Sequence, residues 1–178
     1  MTGPTVTLTG PPGSGKTTAG RLAAAALDRR FVSAGALFRA EAAARGSPLA
    51  EFSAAAERDP GIDRALDERM VALAGPDALL EGRITGALLR RRGVRVVYLV
   101  VTAPEPVRVD RLAARDGVAP EVARAQLRAR EASERDRYRR YYGLDLDREA
   151  ADLVVDSAAI PADEVARRLV AHVRAAGG

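Results

Sequence analysis

The sequence predicts an α/β fold, a five-stranded parallel sheet flanked by helices. Three observations point there. Five short β-like runs alternate with helical ones along the chain. A glycine-rich turn joins the first of those strands directly to the first helix. The 178 residues are enough for one sizeable core and too few for two full domains with linkers.

The first strand is read at Thr5 to Leu8, and Ala19, Leu22, Ala23, Ala26 and Leu27 follow it at helical spacing. Arg30 to Val32 reads as the second strand. Ser33 opens a helical stretch to Arg45, Gly46-Ser47-Pro48 breaks it, and Pro60-Gly61 divides the two helices that follow. The third and fourth strands are read at Ala78 to Glu81 and Val94 to Thr102. Thr102 with Glu105 has capping-box spacing, starting a helix through Arg115 that Asp116-Gly117 ends. Asp152 to Asp156 is the fifth strand. Ala162, Val165, Ala166, Leu169, Val170 and Val173 form the stripe of a last helix. The segment from Gly117 to Gly143 is different. Nine of the thirteen residues from Arg128 to Arg140 are charged, so this helix has no wide apolar face to hold it on a core. It reads as a solvated helix or as an arm that folds over a phosphorylated ligand.

Composition excludes several chemistries. With 47% apolar and 29% charged residues the chain is of the ordinary globular kind. Having no cysteine, it has no disulfide, thiolate metal site or cysteine nucleophile. With His172 the single histidine, two-histidine metal sites and a Ser-His-Asp triad are both poorly supplied. His172 itself borders the stripe of the last helix near its end, where the helix dipole favours a surface histidine. The most apolar stretch, Val96 to Ala103, is too short to span a bilayer, and the expectation is a cytoplasmic protein without membrane contact. Of 28 basic residues 27 are arginine and one, Lys16, is lysine. The net charge is only +4, and the basic clusters at Arg90 to Arg92 and Arg135 to Arg140 carry few aromatic platforms, so nucleic acid is not expected as a partner.

Gly10-Pro11-Pro12-Gly13-Ser14-Gly15-Lys16-Thr17 fits GxxxxGK[ST] and lies between a strand and a helix, the context this phosphate loop requires. Small residues let backbone N–H groups wrap a nucleotide's phosphates, helped by the positive end of the next helix. Lys16 would reach the β and γ oxygens, the Thr17 hydroxyl would ligate Mg²⁺, and Thr18 would touch the α-phosphate. The chain's one lysine stands where that ammonium is needed. No second lysine exists to supply the NKxD motif of common GTPases, and the length leaves no room for the extra domains of large ATPases. A small-molecule kinase is the expected class.

Beyond the loop, GPPGSGKTT at Gly10 to Thr18, SAGALFR at Ser33 to Arg39, DPGIDRALDERM at Asp59 to Met70, EGRITG at Glu81 to Gly86 and REASERDRYRRYYGLDLD at Arg130 to Asp147 together resemble cytidylate kinases. The likeness is to the short archaeal-type branch of the nucleoside monophosphate kinases. It implies a P-loop kinase fold over residues 1–178, with an acceptor-binding arm at about 33–75 and a helical lid at about 111–140. The implied reaction is ATP plus CMP or dCMP giving ADP plus CDP or dCDP. The implied partners are these nucleotides, with Mg²⁺ as the cofactor, and a monomer is expected. Arg39 matches the arginine that clamps the acceptor's phosphate, Ser33 opens the same pocket, and Arg83 matches a second acceptor-phosphate arginine. Glu81 is the implied carboxylate for a magnesium-bound water. Arg130, Glu134 and Arg137 share one helix face; the resemblance puts both arginines on phosphate oxygens and the acid on the pyrimidine acceptor. Arg111 and Arg115 also share a face and match lid arginines over ATP. Asp63 and Asp67 are candidates to accept hydrogen bonds from the cytosine amino group or the ribose. Two departures stand out: Ala36 replaces a common acid after the SAG turn, and Met70 stands where glutamine is frequent. Within the same class, adenylate or uridylate kinase is the alternative, although EGRITG differs from the DGFPR-like segment of many adenylate kinases. Outside it, the alternative is a P-loop ATPase or switch protein acting on a protein or RNA.

Overall fold

The computed structural model describes residues 3–146 and 149–177. Asp147, the last residue of the REASERDRYRRYYGLDLD segment, lies outside the described residues. Among those described, five strands form one parallel sheet in the order β2-β3-β1-β4-β5. They are β1 (Thr5–Thr9), β2 (Arg30–Ser33), β3 (Ala78–Glu81), β4 (Val96–Thr102) and β5 (Leu153–Asp156). Helix α1 (Lys16–Ala26) joins β1 to β2. Three helices, α2 (Ala34–Ala44), α3 (Leu49–Arg58) and α4 (Pro60–Ala72), separate β2 from β3. They are followed by α5 (Thr85–Arg91), α6 (Glu105–Asp116), α7 (Pro120–Tyr142) and α8 (Ala162–Gly177).

Both sheet faces are covered, and the alternation along β1 shows how. Val6 and Leu8 pack with Ala19 and Ala23 of α1 and with Val165, Leu169 and Val173 of α8. Thr7 points the other way, toward α5, where Gly86 lets helix and sheet approach closely. A Cβ on Gly86 would lie 2.1 Å from the Tyr98 ring and 2.6 Å from Thr7 Oγ1, so no side chain fits there. On that second face Ala78 and Leu80 of β3 bury against Met70 of α4 and Leu89 of α5. Met70 is therefore a core residue rather than a lining residue of a base pocket. The register pairs Leu8 with Glu81 and Ser33 with Glu81, which sets the carboxyl ends of β1, β3 and β2 level at one edge of the sheet. Ligands of open parallel sheets gather at such an edge.

The expected strands all form, β3 over the residues read for it and the other four with one end shifted by one or two residues. The capping box at Thr102 does not. Thr102 stays in β4, paired with Asp156 of β5, and α6 begins at Glu105 behind Pro104 without any side-chain cap. Two prolines at 104 and 106 fix the entry instead, since each presets a helix-compatible φ and neither offers an N–H for a cap. Gly117, at φ +66°, ends α6 as expected.

The charged helix α7 has no apolar face along its length, as expected, but short apolar patches hold it at both ends, so it is not the freely solvated helix of one of its two readings. Ala123 and Leu127 bury against Val109, Leu112 and Ala113 of α6. At the far end Tyr138 and Tyr142 pack on Ile84, Leu88 and Leu144. Its charged middle is fixed by ion pairs, which place it over the carboxyl edge of the sheet. Among the described residues no helix is long and apolar enough to cross a membrane.

Candidate active site

The phosphate loop runs from the end of β1 to α1, with Gly10, Gly13 and Gly15 all at positive φ. At Gly10 a Cβ would stand 1.9 Å from the carbonyl oxygen of Val101. At Gly13 it would stand 2.8 Å from the carbonyl oxygen of Arg108. The loop is thus seated directly on the end of β4 and the start of α6, and only glycine permits the seat.

Four successive carbonyls of the loop accept hydrogen bonds from side chains around it. Pro11 O takes Lys16 Nζ at 3.3 Å and Pro12 O takes Arg108 Nη1 at 3.2 Å. Gly13 O takes Arg111 Nη1 at 3.5 Å and Ser14 O takes Ser157 Oγ at 2.8 Å. Sequence reasoning missed Arg108 and Ser157. Each lies far from the loop in the chain, and no local signal separates Arg108 from 26 other arginines.

Lys16, at the first position of α1, places Nζ 3.9 Å from Glu81 Oε1, and the Thr17 hydroxyl lies 3.3 Å from Glu81 Oε2. The level ends of β1 and β3 bring these groups together, and Thr18 is exposed on the first turn of α1. Burial lowers the Lys16 pKa to about 8; Arg83 and Arg130 push the same way, while Glu81 and Glu134 partly oppose them. A phosphate arriving at Nζ would favour the ammonium and restore the ordinary value. Nucleotide binding near pH 8 is therefore expected to take up a proton, and affinity to fall as pH rises through about 8. Calorimetry in buffers of different ionisation enthalpy checks this, because a buffer-independent binding enthalpy would remove the coupling. Thr17 and Glu81 offer only oxygen donors, which fits a hard divalent cation completed by phosphate and water oxygens.

The face predicted on α7 forms. Arg130 Nε and Arg83 Nε each donate to Glu134 at 2.8 Å, one to each carboxylate oxygen. Glu134 is only 4% exposed, and burial alone would raise its pKa, but Arg130 and Arg83 outweigh burial and hold it below the usual value. One turn on, Arg137 Nη1 donates to Asp63 Oδ2 of α4 at 2.6 Å, and Tyr142 donates to Asp67 Oδ2 at 2.6 Å. Burial raises the pKa of Asp63, with Arg137 opposing, and pushes that of Asp67 up to about 7. Ser133 Oγ also donates to Glu57 Oε1 at 2.7 Å, so α7 is stitched to α3 and α4 along its length.

Ser33 caps α2 by accepting from the Ala36 amide at 3.3 Å. Arg39 is exposed and has no hydrogen bond or ion pair among the described residues; its Nη1 lies 3.5 Å from where a Cβ on Gly35 would be, back toward the start of α2. Arg111 joins the loop, through Ser157 and Gly13 O. Arg115 does not. It lies on the surface with its guanidinium on Asp116.

The profile of the cytidylate kinase-like family matches residues 5–159. A cytidylate kinase of Halobacterium salinarum is 42% identical over 144 residues, covering 80% of this chain and 74% of that protein. A cytidylate kinase of Aeropyrum pernix is 38% identical over 172 residues, covering 96% of this chain and 99% of the relative. Among solved structures, a shikimate kinase from Acinetobacter baumannii in complex with shikimate superimposes with a TM-score of 0.63 at 20% identity, over 97% of this chain and 93% of that one. That likeness concerns the fold alone. With the family profile spanning most of its length and relatives well above 30% identity, the chain belongs to the cytidylate kinase-like family.

Proposed function

We propose that the protein transfers the γ-phosphoryl group of ATP to CMP or dCMP, giving ADP and CDP or dCDP. The observation that carries this reading is the convergence of Lys16, Glu81, Arg83, Arg130 and Glu134 at the carboxyl edge of the sheet, close enough for the Lys16 ammonium to feel the other four charges. The relatives named cytidylate kinase favour the pyrimidine acceptor.

The transfer needs no base to deprotonate the acceptor, because the attacking atom is already a phosphate oxyanion. Catalysis then rests on positioning and charge neutralisation. Lys16 meets the transferring phosphoryl. Arg39, which has no partner of its own among the described residues, forks onto the acceptor's phosphate together with Arg83, held in place by Glu134. Arg130 and Arg137 close on the phosphate oxygens from α7. Asp63 and Asp67 line the acceptor side below them. Thr17 directly and Glu81 through a water would hold Mg²⁺, which when bound would neutralise charge on the β- and γ-phosphate oxygens. Helices α2 to α4, about residues 33–75, form the acceptor arm, and about 111–140 form the lid that excludes water. Arg115 reaches the donor only if it leaves Asp116.

A coupled ADP-release assay with Mg-ATP and CMP, dCMP, UMP, AMP or GMP tests this. CMP and dCMP should give the highest kcat/KM. Preference for another monophosphate would overturn the cytidylate reading, and turnover indifferent to all five would point to an ATPase.

A further inference from the structure

The loop carbonyls held from outside bear on how the loop meets a donor. In a trans peptide the C=O of one residue and the N–H of the next point in opposite directions. The oxygen of Ser14 is therefore tied to the direction of the Gly15 amide, and the oxygen of Pro12 to that of the Gly13 amide. Among the described residues neither amide donates to any other group, whereas the Ser14 amide between them is spent on Pro11 O at 3.3 Å. Gly13 and Gly15 thus keep unspent N–H groups, the kind that cradles phosphate oxygens.

We infer that Ser157 and Arg108 are positioning residues for the donor phosphates, acting through the Ser14 and Pro12 carbonyls to aim the Gly15 and Gly13 amides. Ser157 follows β5 and is 4% exposed. Arg111 Nη1 lies 2.9 Å from its hydroxyl and Ser14 O 2.8 Å. A guanidinium only donates, so the hydroxyl accepts from Arg111 and its proton goes to Ser14 O. The direction of the relay is fixed, and burial leaves no ready water to replace it. Arg108 is 8% exposed and spends its guanidinium on Ala103 O at 3.0 Å, Pro12 O at 3.2 Å and Glu131 Oε1 at 2.6 Å. It thereby fastens one loop peptide to the end of β4 and to α7 at once. A loop without these two donors could rotate the peptides and lose the aim of both amides.

The inference rests on the proposed donor site, and its test is chosen so that the two fail differently. Ser157→Ala removes one hydroxyl and leaves every residue assigned to the acceptor in place. The KM for ATP and the Kd for ADP should rise about tenfold, while the KM for CMP stays within about twofold. Affinity for inorganic pyrophosphate, measured by calorimetry, should fall by the same factor as that for ADP, and Ser157→Thr should restore both. An unchanged KM for ATP with normal CMP turnover would overturn the inference and leave the kinase reading intact. Equal rises in both KM values would overturn it too, marking Ser157 as a general structural residue. Should the wild-type protein show no turnover with CMP, the pyrophosphate comparison still decides the role of Ser157.

Discussion

Lys16→Arg is expected to lower phosphoryl transfer on the order of 10²–10³-fold while the melting temperature stays near that of the wild type. The substitution keeps a positive charge, so the loss measures shape. An ammonium is a compact charge on a flexible stem, and here it bends back to Pro11 O at 3.3 Å and stays within 3.9 Å of Glu81. A planar guanidinium is wider, carries its donors in a fixed fork and cannot deprotonate. It would sit between Thr17 and Glu81, where the cation belongs, with Arg83 and Arg130 already contributing positive charge. Near-wild-type kcat in this variant would refute the role given to the lysine, and a collapse of the fold would be read from circular dichroism.

Glu134→Gln should have the second-largest effect, a fall in kcat/KM for the acceptor of about 10–100-fold together with a stability loss of about 2 kcal/mol. Glu134 neutralises Arg83 and Arg130 through one oxygen each, and its field also reaches Lys16. An amide of the same shape offers one acceptor and turns a donor toward the other guanidinium. Arg83 and Arg130 are partly exposed and can rehydrate, so the stability cost stays below that of a fully buried broken pair. The pH dependence follows in sign. Because the folded state holds Glu134 below its ordinary value, the wild type keeps this stability above that value and loses it as pH falls below it. The Gln variant should therefore lose part of the wild type's acid dependence. It should also lower the Lys16 pKa further, since Glu134 raises it, and shift the alkaline limb of activity downward. Denaturant titrations at two pH values and a pH–rate profile check both statements.

The parts of this protein that sequence exposes are those written locally. The phosphate loop is eight contiguous residues between a strand and a helix, and the face of Arg130, Glu134 and Arg137 follows from helical spacing alone. The parallel sheet follows from alternation, and only its ends drift. What stayed hidden is written across the chain. Arg108 and Ser157 lie 96 and 143 residues from the loop carbonyls they hold, and Tyr142 lies 75 residues from Asp67. Sequence periodicity sees none of these. Helix α7 misled for a related reason: its middle is fixed by ion pairs and hydrogen bonds to α3, α4 and α6, while its apolar anchors are short patches at either end. Thr102 and Glu105 misled because capping spacing was met inside a strand that continues to Thr102 and runs into proline.

The most direct test of the central claim follows the phosphoryl group itself. The protein is incubated with ATP labelled at the γ-phosphate, Mg²⁺ and CMP, and the products are separated. Label should appear in the β-phosphate of CDP, in step with ADP formation and dependent on CMP. Label released as inorganic phosphate at a rate that CMP does not change would contradict the account.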